Sequence, residues 1–214
     1  MPEFNLVINF SNKDLERLYS TGSYVVIDKP TKDRPPNVAW LVFKPLQMNN
    51  VNWEEQYGIY ASTVQIQNGA RLTKMSQTEF PAVENKIYTL NAAGVFTGPS
   101  GVGTEASFTA VNNYNNLPTL GYLTFGLYQD ANVNGQSVVG NAISAVQVLY
   151  ESIAVMTPDT TIYIWIQSFI HSNEVVTNIT SQMTQVTFGG TVTNVALTYD
   201  AQSGKFLPST TSNV

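Results

Sequence analysis

Amide side chains cluster with aromatic ones in two short segments of this 214-residue chain, around predicted turns at residues 47–52 and 129–134. Amides donate and accept hydrogen bonds in fixed directions, and aromatic rings stack on apolar faces. Together they favour a polyhydroxyl ligand such as a sugar, whereas the alternative is that the asparagines only form turns. The predicted ligand-binding residues are Gln47, Asn50, Asn52, Trp53 and Tyr57 in the first segment, and Tyr128, Gln129, Asn132 and Asn134 in the second.

The second segment also carries oxygen atoms at the spacing that opens a calcium-binding loop. Asp130, Asn132 and Asn134 occupy alternate positions and Gly135 follows them. The twelfth position holds Asn141, where a calcium loop of this kind has a bidentate glutamate. We therefore expect no cofactor and an ordinary polar turn, with calcium at Asp130, Asn132 and Asn134 as the alternative.

Residues that support catalysis are scarce. The chain has one histidine, His171, and no cysteine, which excludes thiolate chemistry and any multi-histidine metal site within one chain. The adjacent Glu54 and Glu55 would point to opposite faces of a strand, so they could not act as a pair. The sequence predicts a protein that is not an enzyme.

Neutral polar groups supply most of the surface polarity. Charged residues make up 12% of the chain, about half the usual share. Asn, Gln, Ser and Thr number 21, 12, 16 and 23, a sum of 72 among 214 residues. The net charge is −5 and basic residues are not clustered. Nucleic acid is not expected as a partner, because binding the phosphate backbone needs clustered cations.

The two segments belong to an internal repeat. Residues 40–66 align with residues 122–148, an offset of 122 − 40 = 82, and 10 of the 27 positions are identical. The identical residues include Gln and Asn as well as apolar types, which favours duplication over chance similarity of two hairpins. The predicted units are residues 1–98, with an N-terminal strand and short helix, and residues 99–214, with a C-terminal hairpin. They either share one core or form two.

The elements that would position these residues are mostly strands, because the segments are short, rich in β-branched and aromatic residues, and bounded by turn residues. The predicted fold is all-β and β-sandwich-like, with two related β units and one short N-terminal helix at 14–19 that Ser11 caps. The predicted strands cover 5–10, 24–28, 39–45, 57–67, 86–90, 107–111, 121–128, 142–150, 161–168, 174–178, 184–188 and 191–199.

Residues 175–199 contain no charged side chain. Two runs rich in Thr and Val flank Gly189 and Gly190, a pattern that predicts a tight hairpin. Each arm is about as long as a membrane-crossing strand, although polar groups at 180–182 break the alternation.

We expect a non-enzymatic protein that binds a glycan or another cell-surface ligand in the manner of a lectin. One alternative is a β-type pore-forming or insecticidal toxin that inserts the C-terminal hairpin into a membrane. The other is a self-associating structural or storage protein, because low charge weakens the repulsion between copies. The N-terminus has no visible signal peptide, so we expect synthesis in the cytoplasm or release by a non-classical route.

Overall fold

A computed structural model describes residues 3–119 and 121–209. Within these residues the chain forms nineteen strands and one helix, which confirms the predicted all-β class and the short N-terminal helix. The strands are β1 (Glu3–Asn9), β2 (Ser23–Asp28), β3 (Val38–Ala39), β4 (Leu41–Phe43), β5 (Met48–Glu54), β6 (Gly58–Ser62), β7 (Ser76–Gln77), β8 (Ile87–Leu90), β9 (Phe96–Ser100), β10 (Phe108–Asn112), β11 (Tyr122–Val133), β12 (Gln136–Ala142), β13 (Val146–Leu149), β14 (Ile153–Met156), β15 (Thr161–Ser168), β16 (Glu174–Val175), β17 (Thr184–Thr187), β18 (Asn194–Asp200) and β19 (Lys205–Pro208).

The helix α1 (Asn12–Ser20) follows the first strand. Ser11 caps it as predicted, because its hydroxyl accepts a hydrogen bond from the backbone N–H of Asp14 at 3.2 Å. Leu15 and Leu18 are the buried residues of this short helix, and their packing on the sheets stabilises it. No helix in the described parts of the chain is long and apolar enough to span a membrane.

A nine-stranded sheet forms the largest layer, and its strands run in the order β19-β18-β1-β5-β11-β6-β7. The twelve-residue strand β11 also pairs with β12 and β13, and these two strands complete the nine. Two four-stranded sheets have the orders β14-β10-β8-β9 and β17-β15-β2-β4, and β3 pairs with β16. The main hydrophobic core contains residues from the large sheet and from both four-stranded sheets.

The sheets contain strands from both predicted units side by side. β1 pairs with β18 and β5, and β2 pairs with β15. The predicted boundary between residues 98 and 99 lies inside β9. The core likewise joins residues from both units, among them Leu6 and Leu197.

The repeat coincides with a local two-fold arrangement of two strands. Val51 of β5 lies directly opposite Val133 of β11, and the repeat aligns these two residues with each other. Away from this pair the secondary structure differs. Residues 48–54 form one strand, whereas the aligned residues 130–136 include a strand end, a turn and the start of β12. The predicted turn at Gln47–Asn52 is therefore wrong, and the duplication stays a prediction.

The predicted C-terminal hairpin has its tight turn, closed by hydrogen bonds between Gly189 and Val192, but its two arms belong to different sheets and do not pair. β17 pairs with β15, whereas β18 pairs with β1 and β19. Gly189 and Gly190 form a turn with positive φ angles of 116° and 59° that carries the chain from one sheet to the other. Val186 and Phe188 are buried in the main core, which fixes the first arm there.

Two glycines in neighbouring strands are each covered by a tyrosine of the opposite strand. Gly58 of β6 lies opposite Tyr128 of β11, and Gly126 of β11 lies opposite Tyr60 of β6. A Cβ atom at Gly58 would meet the ring of Tyr128 at 2.1 Å, and one at Gly126 would meet the carbonyl oxygen of Ser144 at 1.9 Å. The close approach of ring to backbone therefore requires glycine at both positions.

We expect Gly126→Ala to lower the free energy of unfolding by about 3 kcal/mol or more, because the new methyl group would overlap backbone atoms. Gly22→Ala is the control. Its φ of +61° is unfavourable for alanine but the space around it is open, so about 1 kcal/mol is expected. Urea unfolding measures both, and equal losses would contradict the packing argument.

Candidate functional site

Four asparagines form a row across the solvent-facing side of the large sheet. Asn132 of β11 lies opposite Asn52 of β5, Asn52 lies opposite Asn5 of β1, and Asn5 lies opposite Asn194 of β18. The Asn5 amide donates a hydrogen bond to the side-chain oxygen of Asn194 at 3.4 Å. Neighbouring strands are about 4.8 Å apart, so this asparagine row is about 14 Å long.

An open groove of about 300 Å³ lies at one end of the row. Asn52 and Asn132 form part of its lining, together with their chain neighbours Trp53 and Ala131. Its other polar groups are three carboxylates and one amide, and Phe80 supplies an aromatic wall. We call it the acidic groove, and its defining residues are Glu3, Asn52, Glu54, Gln56, Phe80, Asp130 and Asn132.

The buried side chain of Trp53 holds its neighbours Asn52 and Glu54 toward solvent. Successive side chains of a strand point to opposite faces, and in β5 the buried positions alternate with exposed or half-buried ones. The Trp53 ring packs against those of Phe4 and Trp40, with centroid distances of 5.8 and 5.6 Å. This aromatic packing determines which side chains of β5 face the core and which face solvent, and so it positions the groove residues.

The two remaining predicted asparagines of these segments also lie close together. The Asn50 backbone N–H donates to the side-chain oxygen of Asn134 at 2.8 Å, and the Asn134 N–H donates to the Asn50 carbonyl. The Asn134 amide also donates to the side chain of Asn49. Asn134 thus acts as a connector between β5 and the β11–β12 turn, where its φ is +53°, whereas the Asn50 side chain is exposed.

The aromatic part of the predicted ligand site is wrong. Trp53, Tyr57, Tyr128 and Gln129 are all buried, so no ring among them can stack on a sugar. They are buried because they fill space between sheets. Gln47 is exposed, but its amide donates to the side chain of Asn12 on the helix and lies away from the groove.

Phe80 is the accessible aromatic residue of the groove. It is 37% exposed and stacks on the buried ring of Tyr128, with a centroid distance of 5.6 Å. Phe80 was not among the predicted site residues, because it lies in a loop outside both amide-rich segments. Glu54 was not predicted as a groove residue either, although its position two residues after Asn52 on the same strand is a usable signal.

Two of the side-chain oxygens proposed as calcium ligands accept hydrogen bonds from backbone N–H groups instead. The Asp130 carboxylate accepts the Gly140 N–H at 2.6 Å, and the Asn132 side chain accepts the Gly135 N–H at 2.8 Å. The segment is not a loop, because β11 continues through Val133. Within residues 3–119 and 121–209, no three acidic or histidine side chains converge as a metal-binding group.

A buried polar network lies behind the groove. The Lys29 ammonium is fully buried and forms an ion pair with Glu55. It also donates to the Tyr57 hydroxyl at 2.8 Å and to the Gln129 side chain at 3.1 Å. Glu55 accepts further hydrogen bonds from the Trp53 indole and the Tyr57 hydroxyl. Every predicted ligand residue that is buried, except Tyr128, belongs to this network.

Burial lowers the pKa of Lys29 to about 8, and the neighbouring Glu55 carboxylate opposes that shift. Burial likewise raises the pKa of Tyr57, and Glu55 adds to the increase. The donors around Glu55 are already directed at it, so this network is built to hold sheets together. We assign it a structural role.

Asp28, next to Lys29 in the chain, is a fully buried acid. One of its carboxylate oxygens accepts the Val38 N–H at 2.8 Å, and the other has no partner among the described residues. Burial raises the pKa of Asp28 well above its usual range. The uncharged form is therefore favoured inside the fold.

Comparison with protein-family models, with curated proteins and with solved structures finds no match to this chain.

We expect Lys29→Met to lower the free energy of unfolding by about 3–5 kcal/mol, because Glu55 would stay buried without its counter-charge. The double variant Lys29→Met/Glu55→Gln removes both charges and should recover a large part of that loss. Urea unfolding of the two variants and the wild type tests this. A double variant that is no more stable than Lys29→Met would show that the pair is not the coupled structural unit described above.

Proposed function

We propose that the protein binds a neutral glycan in the acidic groove without catalysing a reaction. The observation that carries this proposal is the pairing of Asn52 with Asn132 across β5 and β11, beside three carboxylates and one accessible aromatic ring. Carboxylate oxygens accept hydrogen bonds from sugar hydroxyls, and amides both donate and accept. The Phe80 ring offers an apolar surface to the C–H groups of a sugar ring.

The size and charge of the groove narrow the ligand class. Its volume of about 300 Å³ is at the lower end for small-molecule sites, which suits one or two sugar rings. Glu3, Glu54 and Asp130 would repel an anionic sugar, so a neutral one is favoured. The asparagine row continues from the groove toward Asn5 and Asn194, and a longer glycan could extend along it.

The double variant Asn52→Ala/Asn132→Ala should weaken binding to neutral glycans at least about tenfold, because two hydrogen-bonding amides are lost. A glycan array with neutral and acidic members identifies the ligand, and titration of the best one gives the affinities. The matched control is Asn178→Ala, an exposed asparagine far along the chain from the groove.

Wild-type binding that persists in the double variant would contradict the proposal, and so would an array on which no neutral glycan binds. Equal losses in the double variant and in Asn178→Ala would show a general effect on folding. A thermal unfolding curve of each variant separates that case.

Self-association is a second candidate, favoured by one edge of the structure. β14 is the terminal strand of its four-stranded sheet, and its side chains Ile153 and Val155 are exposed. Leu149 and Tyr150, just before it, are exposed as well. An apolar edge strand without a charge is a surface to which a second copy could add its own strand.

We expect Val155→Lys to reduce any concentration-dependent association, because a charged edge strand resists pairing. Sedimentation velocity over a range of concentrations measures it, with Val102→Lys, another exposed valine, as the control. A wild-type protein that stays monomeric at every concentration would contradict this candidate.

The toxin alternative stays a prediction. It was based on a pairing of the two arms around Gly189 and Gly190, and these arms belong to different sheets.

A further inference from the structure

Phe169 is the most exposed large hydrophobic residue described, at 91% of its possible area. It lies in the loop after β15 and has a φ of +56°. A bulky residue is unfavourable in this left-handed region, and an aromatic ring is unfavourable in water. Two unfavourable features at one position suggest that the exposed ring has a role outside folding.

The loop holds Phe169 in place, because the residues around it are tied to the body of the protein. Rotation of the loop that would bury the ring is therefore opposed on both sides. The contacts are the Ser168 hydroxyl donating to the Thr21 carbonyl at 3.0 Å, Ile170 buried in a hydrophobic cluster, the Ser172 hydroxyl accepting the Val42 N–H at 3.0 Å, and the Asn173 N–H donating to the Ala39 carbonyl at 2.8 Å.

A cavity of about 490 Å³ lies beside the ring. Phe169, Tyr24 and Val42 give it an apolar side, and Arg71, His171 and Ser172 give it a polar side. We call this the Phe169 pocket. A flat ligand could stack on Phe169 and place a polar group toward Arg71.

The charge of Arg71 is not neutralised by Glu174, the acid opposite it in the backbone bridge. Arg71 and Glu174 are bridge partners in the backbone, but the Glu174 carboxylate turns to His171. It lies 3.5 Å from the His171 imidazole and accepts a hydrogen bond from the His171 backbone N–H at 3.1 Å. Among the described residues, the close contacts between a carboxylate and a basic side chain are Lys29–Glu55 and His171–Glu174, so Arg71 is in neither. Its guanidinium is free to bind an anion.

We propose that the Phe169 pocket binds a small molecule that combines a carboxylate with a ring that has an apolar face. The ring stacks on Phe169, and the carboxylate pairs with Arg71. Aromatic acids and uronic acids share this chemistry, and both are anionic. The pocket is therefore a second site with a charge preference opposite to that of the acidic groove, and it does not depend on the glycan proposal.

The probes are 2-naphthoate, methyl glucuronide and the uncharged 2-naphthalenemethanol, each titrated against the full chain by ligand-detected NMR. We expect at least one acid to bind at about millimolar concentration or below. Arg71→Gln should weaken the acids at least about tenfold while leaving the neutral probe unchanged. Arg34→Gln, which removes the positive charge of an exposed arginine outside both sites, is the matched control and should have no effect.

Phe169→Gly separates binding from folding. Glycine accepts a positive φ, so this variant should unfold at the same temperature as the wild type or higher. It should nevertheless weaken binding of the acids at least about tenfold, because the stacking surface is gone. An ordinary structural loop residue would not combine these two effects.

The type of acid that binds identifies the ligand source: naphthoate alone indicates an aromatic acid, and glucuronide alone indicates an acidic sugar. The proposal is overturned if neither acid binds, or if binding is the same in Phe169→Gly, Arg71→Gln and wild type. A loss of thermal stability in Phe169→Gly would also overturn the argument that the ring is held at a cost to the fold.

Discussion

A largely buried ion pair joins the large sheet, which carries the acidic groove, to a four-stranded sheet. Lys29 follows β2 of a four-stranded sheet, and Glu55 follows β5 of the large sheet. Gln129 of β11 accepts a hydrogen bond from Lys29 and donates one to the carbonyl of Glu54. The pair therefore fixes where β5 ends, and with it the place at which Glu54 enters the groove. A buried charge without this partner would be strongly destabilising.

Local sequence patterns were sufficient for the fold class and for several elements. The β-branched runs predicted β2 and β15 closely, and the Ser11 cap predicted the helix. They were insufficient for strand pairing. Gly189 and Gly190 look like a hairpin turn, yet the strands on either side bind different partners, because the choice of partner is set by burial of Val186 and Phe188 across the core.

The candidate site was predictable in its amides and not in its aromatic group. Asn52 and Asn132 alternate with apolar residues on their strands, so the period of two already placed them on a solvent face. Trp53 belongs to the opposite phase and had to be buried. Phe80 reaches the groove only through the tertiary fold, so no local pattern predicts its place there. Burial of Lys29 was not predictable either, because lysine is rarely buried.

Because charged residues are few in this protein, each exposed ionic group has a large effect on the charge of the site in which it lies. Charged residues are 12% of the chain, and amides and hydroxyls cover much of the rest of the surface. Neutral groups do not screen a nearby carboxylate or guanidinium as an opposite charge would. Three carboxylates make the acidic groove negative, with Lys74 near Asp130 as the opposing charge. Arg71 makes the Phe169 pocket positive, and the nearby Glu174 carboxylate is held at His171. Sites of opposite preference can then lie on one small fold, because few other charges surround them.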